Sequence, residues 1–168
     1  QNGDPSAGAN KDLHAIVGAG TGLGIARGII SGSKVKVLAS EGGHVEYSPK
    51  SDLEWELKNW LKYSLKVKRI SCERIISGNG LSRIAEWRLS KPDTQNHPLQ
   101  KYLKELKISD NLRKELPQKI CDLSNQGDKI MIQVERIWLE AYASLLGDVA
   151  LQELCFGGLW ISGGTASK

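Results

Sequence analysis

The chain has few cysteines, and they do not cluster. Cys72, Cys121 and Cys155 are odd in number, far apart and form no C-x-x-C pair. That speaks against a disulfide framework or a zinc knuckle and fits a reducing, cytoplasmic setting. Long hydrophobic runs are missing too. The longest stretches without a formal charge run from Leu13 to Ala26 and from Leu154 to Ser167. Both are too short and too rich in glycine for a membrane helix of about 20 apolar residues, so no membrane partner is expected. No basic start with an apolar centre marks a secretory leader. Aromatic residues make up only 6%, they do not interleave with the basic ones, and the net charge is a mild +4. Nucleic acid is therefore not an expected partner.

What remains is a globular composition, 40% hydrophobic and 25% charged over 168 residues. That length suits one ordinary domain, which can bury roughly 70% of the surface its unfolded chain exposes. The ends are unusual. The chain opens at Gln1 in a polar string and stops at Lys168, just after an apolar run and a Gly-Gly pair. The expectation is a piece of a longer protein.

Glycine is concentrated in the first third and at the end, while the middle is helical in pattern. Leu13 to Val17 reads as a buried strand, Ile25 to Ile30 as a second, and Lys34 to Val37 alternates as a third. With 1–12 as a linker, 13–48 is then a β-meander. Residues 49–154 are mainly helical. Ser51-Asp-Leu-Glu54 is a capping box, followed by apolar Leu53, Leu57, Trp60, Leu61 and Leu65 at helical spacing. Ser71 is expected to open a short helix broken at Ser77-Gly78-Asn79-Gly80, with helix resuming from Leu81 to Trp87. A long helix is expected from about Asp128 to Glu153, burying Val134, Ile137, Trp138, Ala141, Leu145 and Val149. Trp55, Trp60 and Trp138 are read as core. Within 155–168, Gly158 to Ser162 is a short buried strand closed by Gly163-Gly164. Strands first, helices in the middle and a returning strand indicate a mixed α/β fold.

Four segments could carry chemistry. Gly18-Ala-Gly-Thr-Gly-Leu-Gly24 matches neither G-x-G-x-x-G nor a P-loop. Because the next segment is a strand, no helix N-terminus in the Rossmann manner is expected there. Four glycines alternating through seven positions still leave bare backbone whose amides can approach phosphate, with Thr21 adding a hydroxyl; a plain glycine hairpin is the alternative. Glu41-Gly-Gly-His44 places a carboxylate and an imidazole beside bare backbone, which suits a polyol. It is too poor in ligands for zinc, and a simple turn would look alike. Glu73, in Ser71-Cys-Glu-Arg74, is accounted for by the helix dipole alone, and Cys72 has no His partner that would make it a nucleophile. Gly157 to Thr165 is a strand ending in Gly-Gly, against which a flat nucleoside could lie.

Together the four resemble bacterial-type glucokinases of the hexokinase and actin-like ATPase superfamily. The match runs through Val17 to Gly24, Glu41-Gly-Gly-His-Val-Glu-Tyr-Ser-Pro49, Ser71-Cys-Glu-Arg-Ile-Ile-Ser-Gly78 and Gly157-Gly-Leu-Trp-Ile-Ser-Gly-Gly164, in the family's order. It is weakest between Leu89 and Asn125. The resemblance implies a ribonuclease H-like core, most of the larger domain of a two-domain sugar kinase that uses ATP and Mg2+ to phosphorylate glucose. It implies that Gly18, Gly20, Thr21 and Gly22 belong to the second phosphate motif, that Gly163 and Gly164 end the adenosine motif, and that Glu41, His44 and Glu73 contact glucose. A homodimer is implied by the family alone. The cysteine-rich run of zinc-binding sugar kinases has no counterpart in Val45 to Asp52, so no structural zinc is implied. The family's D-x-G-G-T loop and the Asn-Asp pair that supplies its catalytic base are not in this sequence. No catalytic residue is therefore assigned, and the chain is expected to be inactive alone. A sugar or nucleotide sensor of the same fold, or a kinase for another hexose, remains the alternative.

Overall fold

The structure, a computed structural model, describes residues 11–106 and 110–165. Most of the expected linker 1–12 and the last residues of the 155–168 segment lie outside them. Strands β1 (Leu13–Ala19), β2 (Leu23–Ser31) and β3 (Lys34–Ser40) form an antiparallel meander. Strand β4 (Gly158–Ser162) joins β1 in parallel, giving the order β3-β2-β1-β4. Parallel neighbours need a long crossover. Here it comprises α1 (Asp52–Leu65), α2 (Gly78–Leu89), α3 (Leu99–Leu106), α4 (Asp110–Asn125) and α5 (Lys129–Glu153).

Alternation along β1 sorts its side chains: Ala15, Val17 and Ala19 are buried on the helical side, whereas Ile16 is exposed on the other. α5 covers the buried side. Its buried stripe is the one the 3.6-residue period predicts, Val134, Ile137, Trp138, Ala141, Leu145 and Val149. Asp128 caps the helix by accepting from the amides of Ile130 and Met131. Two hydrogen bonds then fix α5 to what it covers. Tyr142 Oη donates to the Val17 carbonyl at 3.1 Å, and Trp138 Nε1 donates to the Ser77 carbonyl at 3.1 Å.

Four local expectations are corrected. Ser71 does not open an α-helix: Cys72–Arg74 is a single 3-10 turn. Gly78 and Gly80 do not break a helix but begin α2, because Ser77 Oγ accepts the Gly80 amide as an N-cap. Trp55 is 49% exposed rather than core; its ring centroid lies 5.4 Å from the buried Lys58 ammonium, a cation–π contact. Strand β4 lies at the sheet edge with Trp160 and Ile161 exposed, not buried.

Candidate functional site

Gly18 and Gly24 lie in the strands, paired with each other across β1 and β2, so the turn proper is Gly20-Thr21-Gly22. The turn is closed by the Gly20 amide donating to the Gly22 carbonyl at 2.9 Å. It is also clamped from outside. The Gly20 carbonyl accepts from the Gly78 amide at 2.7 Å and from the Thr165 hydroxyl at 3.2 Å, while the Asn79 side chain reaches the Thr21 carbonyl at 3.5 Å. The segment after the turn is a strand, as expected, yet a helix N-terminus does meet the glycine turn. It comes from α2, far along the chain, and not from the segment that follows the turn. The positive end of the α2 dipole adds to the field there.

Gly163 and Gly164 arrive on the other side of the turn. The Thr165 amide donates to the Ala19 carbonyl at 3.1 Å. Gly163 has φ +103°, and a Cβ there would stand 2.3 Å from the Ala19 carbonyl oxygen; only glycine fits both the backbone and the space. Between the glycine turn, the start of α2, Gly164-Thr165 and α4 lies a cavity of about 420 Å3. That volume falls within the range of small-molecule sites.

A second, polar cavity of about 330 Å3 adjoins it, sharing Thr21 and Asn79 as a common wall and containing Glu73, Arg74 and Arg83. Glu73 Oε2 accepts the Leu23 amide at 3.3 Å. Ser77 Oγ donates to the Glu73 carbonyl at 2.7 Å, which ties the turn to the cap of α2. Beside Glu73, the Cys72 thiol is pushed up to about 11 by burial and then by the Asp148 carboxylate. It stays protonated and is no nucleophile.

Glu41 and His44 flank the 3-10 turn Gly42–His44, with His44 Nε2 3.5 Å from Glu41 Oε2, both exposed. Gly43 seats that turn: a Cβ there would fall 2.3 Å from the Leu23 carbonyl oxygen, so the turn presses directly on the strand leaving the glycine loop. The segment after it pairs with the one before Glu73. Cys72 donates to the Val45 carbonyl and Tyr47 to the Ile70 carbonyl, each at 2.9 Å, around a Glu46–Ser71 bridge. Lys58 locks this pairing from α1, with Nζ 2.7 Å from the Tyr47 carbonyl and 2.9 Å from Glu46 Oε1.

Glu41, His44 and Glu73 thus sit on two adjacent turns but share no single cavity. Glu73 lines the 330 Å3 space, whereas Glu41 borders a larger one of about 750 Å3 between β2, the Gly42–His44 turn and the end of α5. That larger space contains neither Thr21 nor Glu73. Size alone does not mark the site; convergence on the glycine turn does.

The sequence reading missed the wall residues Asn79, Lys114, Pro117 and Thr165. Asn79 lies between two glycines and Thr165 directly after Gly163-Gly164, which were the available signals. Lys114 and Pro117 carry none, being on a helix whose own pattern says nothing of the glycine turn. Among the described residues no group of three or more His, Cys, Asp or Glu could cage a metal ion, and no helix is long and apolar enough to cross a membrane.

Comparison with known proteins identifies the family and the fold. The chain is 37% identical over 164 residues to the glucokinase of Synechocystis sp. (strain ATCC 27184 / PCC 6803 / Kazusa), covering 92% of this chain and 45% of that protein. It is 38% identical over 156 residues to the glucokinase of Helicobacter pylori (strain ATCC 700392 / 26695), covering 89% and 42%. The chain thus spans less than half the length of these relatives. The crystal structure of a glucokinase from an Antarctic psychrotroph superposes with a TM-score of 0.69 at 26% identity, over 94% of this chain and 44% of that one. A glucokinase of the ROK family from Streptomyces griseus, in complex with glucose and AMPPNP, has the same fold at a TM-score of 0.58 and 23% identity, over 93% and 46%. The fold is that of the actin-like ATPases. With the glucokinase family profile matching residues 2–168, the chain belongs to the glucokinase family.

Proposed function

We propose that this chain provides most of the sugar contacts and one side of the nucleotide site in an enzyme that phosphorylates glucose to glucose 6-phosphate with ATP. One observation carries the reading. The turn Gly20-Thr21-Gly22 walls a nucleotide-sized cavity on one side, while the strand residue after it, Leu23, holds the Glu73 carboxylate on the other. Phosphoryl transfer depends on positioning two substrates and stabilising charge, and a shared wall of Thr21 and Asn79 places the two spaces side by side.

In this reading Glu73, His44 and Glu41 orient glucose. The carboxylates accept from sugar hydroxyls, and His44 pairs with a hydroxyl through a ring nitrogen. Gly20, Thr21 and Gly22 approach the phosphates through bare backbone, with Gly164 beside the nucleoside. Gly18 and Gly163 act by allowing the strands and the Gly-Gly turn to close on each other. ATP fits the cavity in size and in its mixture of bare backbone, cation and apolar wall. Among the described residues no carboxylate lines the cavity, so this chain would hold Mg2+ only through ATP phosphate oxygens and water, and the one or two carboxylates such sites usually add would come from elsewhere. When bound it neutralises phosphate charge. The proton acceptor for the attacking hydroxyl comes from outside this sequence, the enzyme works in the cytoplasm, and a homodimer is its expected assembly. Neither nucleic acid nor membrane takes part.

The test is a dehydrogenase-coupled assay of glucose 6-phosphate together with calorimetry. The chain alone should bind glucose without turnover, and a polypeptide that adds a D-x-G-G-T loop and an Asn-Asp pair should turn over. Turnover by the chain alone, or glucose binding unaffected by loss of Glu73, would defeat the reading.

A further inference from the structure

We propose that α4 forms the third wall of the nucleotide cavity and that Lys114 is its phosphate-binding cation. The inference rests on the nucleotide reading above and adds residues from the stretch where family resemblance is weakest. Lys114, Pro117 and Cys121 all line the cavity, spaced so that one face of α4 looks into it. Among the described residues lining that cavity, Lys114 is the only one with a formal charge, and no carboxylate opposes it. The rest of the lining is glycine backbone, hydroxyl, amide and apolar carbon. A cavity so built favours a ligand with an apolar part and a negative part.

Pro117 supports the same conclusion independently. It lies inside α4, where proline forfeits a helical hydrogen bond and crowds the preceding turn. Its ring stands at the opening of α2: a Cβ on Gly78 would lie 3.8 Å from Pro117 Cγ, next to the Gly20 carbonyl that Gly78 binds. The proline thus forms a rigid apolar face where the cavity meets the glycine turn, and helix propensity does not explain it.

Calorimetric titration of ATP and of adenosine into the 168-residue chain tests both residues. Lys114→Met keeps the stem and removes the charge. It should weaken ATP about tenfold, leave adenosine within about twofold, and flatten the salt dependence of ATP binding. Pro117→Ala should weaken ATP and adenosine in parallel while raising Tm, so that unfolding cannot account for the loss. ATP affinity unchanged by Lys114→Met, or adenosine affinity lost equally, would overturn the assignment of Lys114; unchanged binding in Pro117→Ala would overturn the α4 wall. Failure of the unaltered chain to bind either ligand would instead overturn the nucleotide reading of the cavity, and this proposal with it.

Discussion

Glu73 Oε2 accepts a hydrogen bond from the amide of Leu23, fifty residues earlier, at 3.3 Å. A Cβ on Gly22 would come within 2.9 Å of the same oxygen. The carboxylate proposed to hold sugar is thereby in contact with the loop proposed to hold phosphate. A ligand that draws Glu73 away must also disturb the loop, which makes the two sites energetically coupled and the coupling reciprocal.

Glu73→Ala should therefore affect both ligands. Loss of a charged hydrogen-bond partner costs about 1.5–3 kcal/mol, so glucose affinity should fall at least tenfold. ATP affinity should fall by a smaller factor. Glu73→Gln can still accept the Leu23 amide and should keep ATP binding while losing sugar affinity. Calorimetry with each ligand separates the two, and equal ATP binding in Glu73→Ala and the unaltered chain would argue against coupling.

The two glycines beside Leu23 should respond differently to alanine. At Gly22 the obstacle is the end of a flexible Glu73 side chain, which can swing aside. Gly22→Ala should leave Tm nearly unchanged and weaken glucose. At Gly43 the obstacle is the Leu23 backbone itself, only 2.3 Å away, so Gly43→Ala should destabilise by about 1–3 kcal/mol or more. Urea denaturation of both variants checks the contrast.

Much of this was legible before the structure. The apolar runs of β1 and β2, the alternation of β3 and the 3.6-residue period of α5 gave those elements; burial leaves such a trace in β1, β2 and α5, whereas Val35 and Val37 of β3 are exposed. The start of α2 was misread, since Gly78-Asn79-Gly80 carries breaker residues and only the Ser77 cap reveals a helix. Trp55 was misplaced because a large aromatic can lie half-exposed over a buried lysine as readily as in a core. The order of Glu41, His44 and Glu73 was visible as motifs. That Glu41 and Glu73 border different cavities was not, because it depends on how the Gly42–His44 turn sits against Cys72–Arg74. The approach of α2 and α4 to the glycine turn left no local trace either, being made by contacts between residues far apart in sequence.

Alkaline pH should expose the buried thiol. Cys72 is raised from 9.0 to about 11, chiefly by burial, so the folded form holds it protonated. Its contribution to stability is intact below the unfolded value and is lost as pH rises through the folded one. The stability advantage of the native chain over Cys72→Ala should thus shrink by about 1–2 kcal/mol between roughly pH 8 and pH 11. Urea titrations at both pH values measure it; a constant difference would refute a buried, pH-linked thiol.

Glu41 offers the cleanest separation of sugar from nucleotide. It is 89% exposed in its side chain, paired only loosely with His44 at 3.5 Å, and does not line the cavity assigned to the nucleotide. An exposed pair of this kind contributes about 0–1 kcal/mol to stability, so Glu41→Ala should fold with nearly the same Tm. Bound to a sugar hydroxyl and shielded from water, the same carboxylate is worth more, about 1.5–3 kcal/mol for a charged hydrogen bond. Glu41→Ala should therefore lower glucose affinity about tenfold or more and leave ATP affinity unchanged. Parallel titrations with glucose and ATP decide the matter. Unchanged glucose binding would remove Glu41 from the sugar site and leave Glu73, under the glycine turn, as its principal anchor.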